Sequence, residues 1–262
     1  MSAPLFRLAP LPPGGRLVLE GDEGRHAASA RRLQPGELVE VTDGAGLVAS
    51  CRVVTAGAGR VELDVASRRV EAAPQPRLVV VQALVKGERS ELAVELCTEV
   101  GVDEVVPWAA QRSIARWAGE RSLRRWTSVA EAAARQSRRS RWPVVPDAHD
   151  LAAVCRRIAA ADLALLLSEE AVEALGAIAV PTAGEVVLVV GPEGGFASSE
   201  HAALLAAGAR PVRLGPSVLR ASSAGAVAAG VLLARSSRWA TPGLSPSAAR
   251  GGITADSGQV PA

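Results

Sequence analysis

Apolar positions change their period near residue 72. Before that point, residues 17–19, 38–41, 47–54 and 60–65 are short apolar runs, several alternating apolar with polar, which predicts strands with one covered face. Asp43-Gly44 and Gly57-Ala58-Gly59 punctuate them as turns. Between the first two runs, residues 23–33 (EGRHAASARRL) predict one short helix ended by Pro35-Gly36. The first 73 residues therefore form a small β-rich unit, a pattern that fits any compact β-barrel.

Ala72-Ala73-Pro74-Gln75-Pro76 marks a linker. After it, residues 78–84 are continuously apolar, as expected of a strand covered on both faces. A helix follows over 90–100, closed by Gly101, then a strand at 105–107 and a helix over 123–138. Residues 163–167 (LALLL) and 186–190 (VVLVV) predict further buried strands. Next come a helix over 199–207 stopped by Gly208, a strand at 211–214 and a final helix over 222–238. Strands alternating with helices across 77–239 predict an α/β domain with a mainly parallel sheet. From residue 240 onward the chain is small, polar and rich in Pro and Gly, and a disordered tail over 240–262 is expected.

Composition narrows the function classes more than it selects one. Of 262 residues, 48% are hydrophobic and 21% charged, enough for a substantial core at an ordinary charge density. The mean hydropathy is +0.20, yet the longest apolar stretch, 223–234, is mostly small side chains and reads as a buried helix, so no membrane span is expected. The N-terminus lacks a basic segment followed by an apolar one, and a cytoplasmic protein is the default expectation. Cys51, Cys97 and Cys155 are widely spaced, and His26, His149 and His201 share no ligand spacing, so neither a disulfide framework nor a metal site is expected. The net charge is +2, but residues 112–141 hold nine arginines against Glu120 and Glu131. Arginine pairs bidentately with phosphate and stacks on bases, which suits RNA; a solvated helical face explains the same charges equally well.

Two loops carry candidate chemistry. Gly191-Pro192-Glu193-Gly194-Gly195-Phe196 follows a predicted strand and precedes a helix, where adjacent glycines let the backbone approach a flat ligand or simply make a tight turn. Leu214-Gly215-Pro216-Ser217-Val218-Leu219-Arg220 repeats that context, and Arg220 is the only charge between Arg213 and Arg235. Such an arginine either meets a phosphate or carboxylate or points outward from a helix start. No P-loop, dinucleotide fingerprint or serine-hydrolase elbow is present.

Taken together with several upstream segments, the two loops make the chain resemble the bacterial small-subunit ribosomal RNA N3-uridine methyltransferases of the RsmE type, within the SPOUT class. The matching stretches are RHAASARRLQPGE (25–37), Lys86-Gly87, TEVGV (98–102), Gln111-Arg112-Ser113, Arg135-Gln136-Ser137 with Arg139 and Pro143, GPEGGF (191–196) and LGPSVLR (214–220). The resemblance covers nearly the whole chain to Trp239. It implies a PUA-like RNA-binding barrel followed by an α/β methyltransferase domain with a C-terminal trefoil knot.

The resemblance further implies that S-adenosyl-L-methionine is the cofactor. It would be held by Leu166, Leu167, Gly191, Pro192, Glu193, Gly194, Gly195, Leu214, Gly215, Val218, Leu219 and Ala224, with Arg220 as the catalytic group facing the uracil. His26, Arg31, Arg32, Arg112, Arg135, Gln136, Arg138 and Arg139 are the implied RNA contacts. The implied partners are small-subunit ribosomal RNA, within the assembled subunit, and a second copy of the chain in a homodimer; no metal and no membrane are involved. Two positions depart from the family pattern: Ser222 stands where a glutamate is frequent, and Leu96 where a lysine is. The general base is therefore not assigned. Two other functions fit the same residues: a SPOUT ribose 2′-O-methyltransferase, or a non-catalytic RNA-binding assembly factor.

Overall fold

A computed structural model of the chain describes residues 3–240. The tail expected over 240–262 lies outside the described residues from 241 onward.

The first sheet contains β1 (Leu5–Arg7), β2 (Arg16–Leu19), β3 (Leu38–Thr42), β4 (Leu47–Gly57) and β5 (Arg60–Val70) in the order β1-β3-β4-β5-β2. Alternate residues turn inward, so Phe6, Leu17, Leu19, Val39, Val41, Val61 and Leu63 share one core. The β4–β5 hairpin turns on Ala58 and Gly59, both at positive φ, the two-residue geometry that matches the strands' right-handed twist. β1 carries too few residues to show alternation and is fixed instead by parallel pairing with β3. The expected short helix is α1 (Gly21–Arg25) running into a π-helical turn, His26–Ala30. It stops before Leu33 because Arg32 takes a left-handed φ of 52°.

The second sheet contains β6 (Arg77–Ala83), β7 (Glu104–Trp108), β8 (Leu163–Leu167), β9 (Glu185–Val190) and β10 (Arg210–Val212), all parallel, in the order β10-β8-β9-β6-β7. Helices α2 (Arg89–Val100), α3 (Glu120–Gln136) and α6 (Ala221–Ala234) contribute to the core on one face; α4 (Leu151–Ala160) and α5 (Ser198–Ala206) contribute to the other. Leu78, Val80, Leu163 and Leu165 point to the first face, and Val79, Val81, Ala164 and Leu166 to the second. Both faces being covered explains why these strands read as unbroken apolar runs. α4 was not predicted, although Asp150 caps it by accepting from Ala153 N at 2.7 Å. α6 ends at Ala234 rather than 238, and β10 ends at Val212, leaving Leu214 in the loop that follows.

The connection from β8 to β9 passes beside the C-terminal helix. Leu175 N donates to Arg213 O and Arg213 N to Glu173 O, both at 2.8 Å, while Arg235 Nε reaches Ile178 O at 3.3 Å. α6 lies against β6 and β9 on its sheet side, where Val80 and Val190 close on Gly225. These contacts gather residues 173–178, 213 and 225–235 in the region where the resemblance to SPOUT domains implies a trefoil knot. Beyond it, Arg238 fastens the exit of the chain to Asp103, Gly101 O and Pro76 O.

The two sheets are joined through the loop after α3. Trp142 lies under the guanidinium groups of Arg7 and Arg135, at 4.6 and 5.5 Å from its ring centroid. Arg7 pairs with Glu131, Arg135 with Glu23 at 2.9 Å, and Arg141 donates to Glu71 O at 2.6 and 3.0 Å.

Candidate active site

Loops at the carboxyl ends of β8, β9 and β10 surround a cleft of about 980 Å³. Ligands in open parallel sheets collect at that edge, where loops diverge and helix N-termini point inward. The walls are residues 167–170 after β8, 190–196 after β9, 213–221 after β10, and Ala224 on the first turn of α6; Ser198, His201 and Arg112 close the sides. The two loops singled out in the sequence, separated by residues 197–213, thus face each other.

Local chemistry explains both loops. Gly191 accepts no side chain, because a Cβ there would lie 2.8 Å from the Phe196 ring. Phe196 folds back over it and stacks on the buried Trp108, ring centroids 5.9 Å apart. Gly195 sits at φ +67° with open space on the side a Cβ would occupy, and Gly215 is equally open. Backbone is therefore exposed to the cleft from two directions. Arg220 is the N-cap residue of α6, exposed and in the cleft wall, with its carbonyl accepting from Ser223 Oγ at 3.2 Å.

Of the residues assigned to the cofactor by resemblance, Leu167, Gly191, Pro192, Glu193, Gly194, Gly195, Leu214, Gly215, Val218, Leu219 and Ala224 all line the cleft, as does Arg220. Leu166 does not: strand alternation turns it into the core beneath α4 and α5, where it is fully buried. Ser222 is likewise buried and outside the lining, and Leu96 packs against the core of α2. Ser168, Glu169, Glu170, His201 and Arg213 line the cleft with no sequence pattern to mark them, since they arrive through the topology of the sheet ends.

The arginine segment divides into separate jobs. Arg139 is 13% exposed, donates to Thr98 O and Val102 O at 2.8 and 2.7 Å, and lies near Asp103; burial pushes its guanidinium down to about 10. It and the half-buried Arg135, which pairs with Glu23, are used within the fold, and any RNA contact of theirs would share these groups. Arg124 pairs with Glu120 and Arg125 with Glu91. Arg116, Arg121 and Arg138 are exposed and make no side-chain ion pair or hydrogen bond among the described residues, and Gln136 is exposed beside them. Arg112 donates to Gly194 O at 3.0 Å, which places it at the cleft. On the first domain Arg31 and Arg32 are exposed, while half-buried His26 packs edge-on against Phe6.

Among the described residues no helix is long and apolar enough to cross a membrane, and no cluster of three metal-ligating side chains occurs.

A cleft between the glycine-rich 191–196 loop and the loop that opens α6, at the edge of a parallel sheet joined to a curled β domain, is the architecture of an RNA methyltransferase. The model of the RNA methyltransferase domain matches residues 71–233, and that of the RNA methyltransferase PUA domain matches 19–66. The chain is 48% identical over 247 residues to ribosomal RNA small subunit methyltransferase E of Mycobacterium bovis, covering 91% of this chain and 94% of that protein. The Bacillus subtilis protein of the same name is 26% identical over 217 residues, covering 79% and 85%. The crystal structure of the Neisseria gonorrhoeae protein of that name, bound to S-adenosyl methionine, superposes with a TM-score of 0.79 at 25% identity, covering 89% of this chain and 98% of that one. A Legionella pneumophila methyltransferase in complex with the same cofactor gives 0.80 at 25% identity, covering 90% and 99%. The chain belongs to the ribosomal RNA small subunit methyltransferase E family.

Proposed function

We propose that the chain transfers a methyl group from S-adenosyl-L-methionine to N3 of a uridine in small-subunit ribosomal RNA. The observation that carries this reading is the convergence of residues 191–196, 214–220 and Arg220 on one cleft, beside the exposed cations of residues 112–121.

The residues present fit a nucleoside cofactor. The cleft volume lies within the range of small-molecule sites, and Gly195 and Gly215 offer backbone amides and carbonyls without a side chain in the way. Gly191, Gly194, Gly195, Leu214, Gly215 and Leu219 would hold adenine and ribose through backbone groups, with Leu167, Pro192, Val218 and Ala224 as apolar walls and Glu193 at the rim. When bound, the sulfonium supplies an activated methyl group, so neither a metal nor a covalent enzyme intermediate is needed.

Arg220 then faces the reacting base. Uracil N3 loses a proton on alkylation, and the negative charge gathers on the flanking oxygens, where a fixed guanidinium stabilises it. Much of the remaining acceleration comes from holding nucleophile and methyl carbon in line. Arg112, Arg116, Arg121, Gln136 and Arg138 on this domain, and Arg31, Arg32 and His26 on the first, would position the RNA.

A homodimer fits the same geometry. From Ala224, in the cleft wall, an uncharged stripe of Val227, Val231 and Ala234 runs outward along α6, with Leu92, Leu96 and Val100 of α2 beside it. A second copy seated there would border the cleft, and the shared edge of a two-fold pair commonly buries such a stripe.

The test is nucleoside mass spectrometry of small-subunit ribosomal RNA incubated with the chain and labelled S-adenosyl-L-methionine. Label in 3-methyluridine is expected. Label in a 2′-O-methylated nucleoside, or none, refutes the assignment.

A further inference from the structure

We infer that Glu200 is a positioning residue that, together with Arg112, clamps the 191–197 loop in its ligand-ready shape. The inference rests on the cleft being the S-adenosyl-L-methionine site.

Glu200 is 5% exposed, yet it pairs with no cation among the described residues. Its carboxylate is used on backbone instead. One oxygen accepts from Gln111 N at 2.6 Å and the other from Ala197 N at 3.2 Å. The second contact is half of a capping box, in which the third helical residue reaches back to the amide at the helix start; the first contact is to another element altogether. Glu200 thus ties the end of the glycine loop to the segment that leaves β7.

Arg112, one residue beyond Gln111, ties the middle of the same loop by donating to Gly194 O at 3.0 Å, with its own Cβ 3.5 Å from where a Gly194 Cβ would lie. The Phe196–Trp108 stack is the third fastening, again to β7. A loop with two adjacent glycines has many accessible backbone shapes and loses much entropy when ordered. Anchoring it before the ligand arrives removes that loss from the binding step, which raises affinity without any new contact to the ligand. Only a carboxylate can do what Glu200 does, because two N–H groups converge on one side chain. The amide of Gln would accept one and turn its own NH₂ against the other.

Glu200→Gln tests this. Losing one charge-assisted hydrogen bond from the clamp should weaken S-adenosyl-L-methionine binding by about tenfold or more in titration calorimetry. Turnover at saturating cofactor should stay within about threefold, because Glu200 lies outside the cleft lining and the loop, once filled, regains its shape. In the ligand-free variant the amides of Gln111 and Ala197 should exchange hydrogen faster, while those of β6 and β9 keep their rates. Arg112→Ala, at an exposed position that folding does not require, should raise exchange at Gly194 and Gly195 in the same way. Unchanged cofactor affinity in Glu200→Gln, or unchanged exchange at Gln111 and Ala197, overturns the clamp, as does a general rise in exchange across the sheet. If the unsubstituted chain binds no S-adenosyl-L-methionine but the loop amides still loosen, the assigned ligand is wrong and the clamp stands.

Discussion

Single residues in this chain are set as much by their neighbours as by their own chemistry, and the arginines show it. Arg220 and Arg139 are the same residue type in segments that both match the family. Arg139 is spent on two carbonyls at the ends of α2 and in the turn after it, whereas Arg220 stands exposed at a helix start beside backbone left open by glycine. Arg220→Ala should therefore lower methyl transfer by about a hundredfold or more, the scale of losing one stabiliser of developing charge. S-adenosyl-L-methionine affinity should hold within about threefold in calorimetry, since the cofactor contacts proposed for the cleft are mainly backbone. Parallel loss of binding and activity would remove Arg220 from the transition state. Which arginine does which job was not legible in the sequence, because free and spent guanidinium groups differ only in what the fold brings to them. The position of the two loops was legible, since each lies between a strand and a helix, although that context alone did not separate a ligand loop from a tight turn. Leu166 was misplaced by one position for an equally simple reason: in a run such as LALLL every residue is apolar, and only the structure shows which way the pleat faces.

At the level of elements, the long apolar runs of β6, β8 and β9 announced a sheet covered on both faces. β1 and β10, three residues each, owe their existence to pairing with β3 and β8. α4 did carry a local signature, with Asp150 as cap and Leu151, Val154, Cys155 and Ile158 at helical spacing, but no element was predicted there. α6 is a different case. Its small residues look like low-information sequence, yet Gly225 marks where the helix meets the sheet: a Cβ would lie 3.2 to 3.4 Å from Val80, Val190 and the buried Gln82. Gly225→Ala sets a gain in helix propensity, about 1 kcal/mol, against overpacking of about 1–3 kcal/mol. The second is expected to win because the neighbours are core residues with no room to retreat, so the melting temperature should fall. An unchanged or higher value would show that α6 can ride outward on the sheet.

The whole molecule brings charge and apolar surface to opposite uses. Of the nine arginines in residues 112–141, Arg112, Arg124, Arg125, Arg135, Arg139 and Arg141 are engaged within the chain. Fewer of these cations are free for the proposed RNA contact than the sequence total implies. Substituting Arg116 and Arg121 by Ala together should reduce the slope of log affinity against log salt by about 1.5, and Arg125→Ala by close to zero. Equal effects from all three would mean that the ion pair between Arg125 and Glu91 opens when RNA binds. The stripe on α6 leads to a separate expectation, that Val227→Glu converts a dimer to a monomer by light scattering while leaving the fold intact. A wild-type chain that is already monomeric at micromolar concentration would dispose of the proposed pairing.

The late place of α6 in the chain also bears on when the cleft can form during synthesis. Apart from Arg112, the cleft lining comes from residues 167–224, and among the described residues α6, whose first turn lines it, is the last element in chain order. The residues of the β domain are all made before the second sheet begins, whereas the cleft waits for α6. Newly made copies should thus pass through a stage in which the β domain is complete and the cleft does not yet exist.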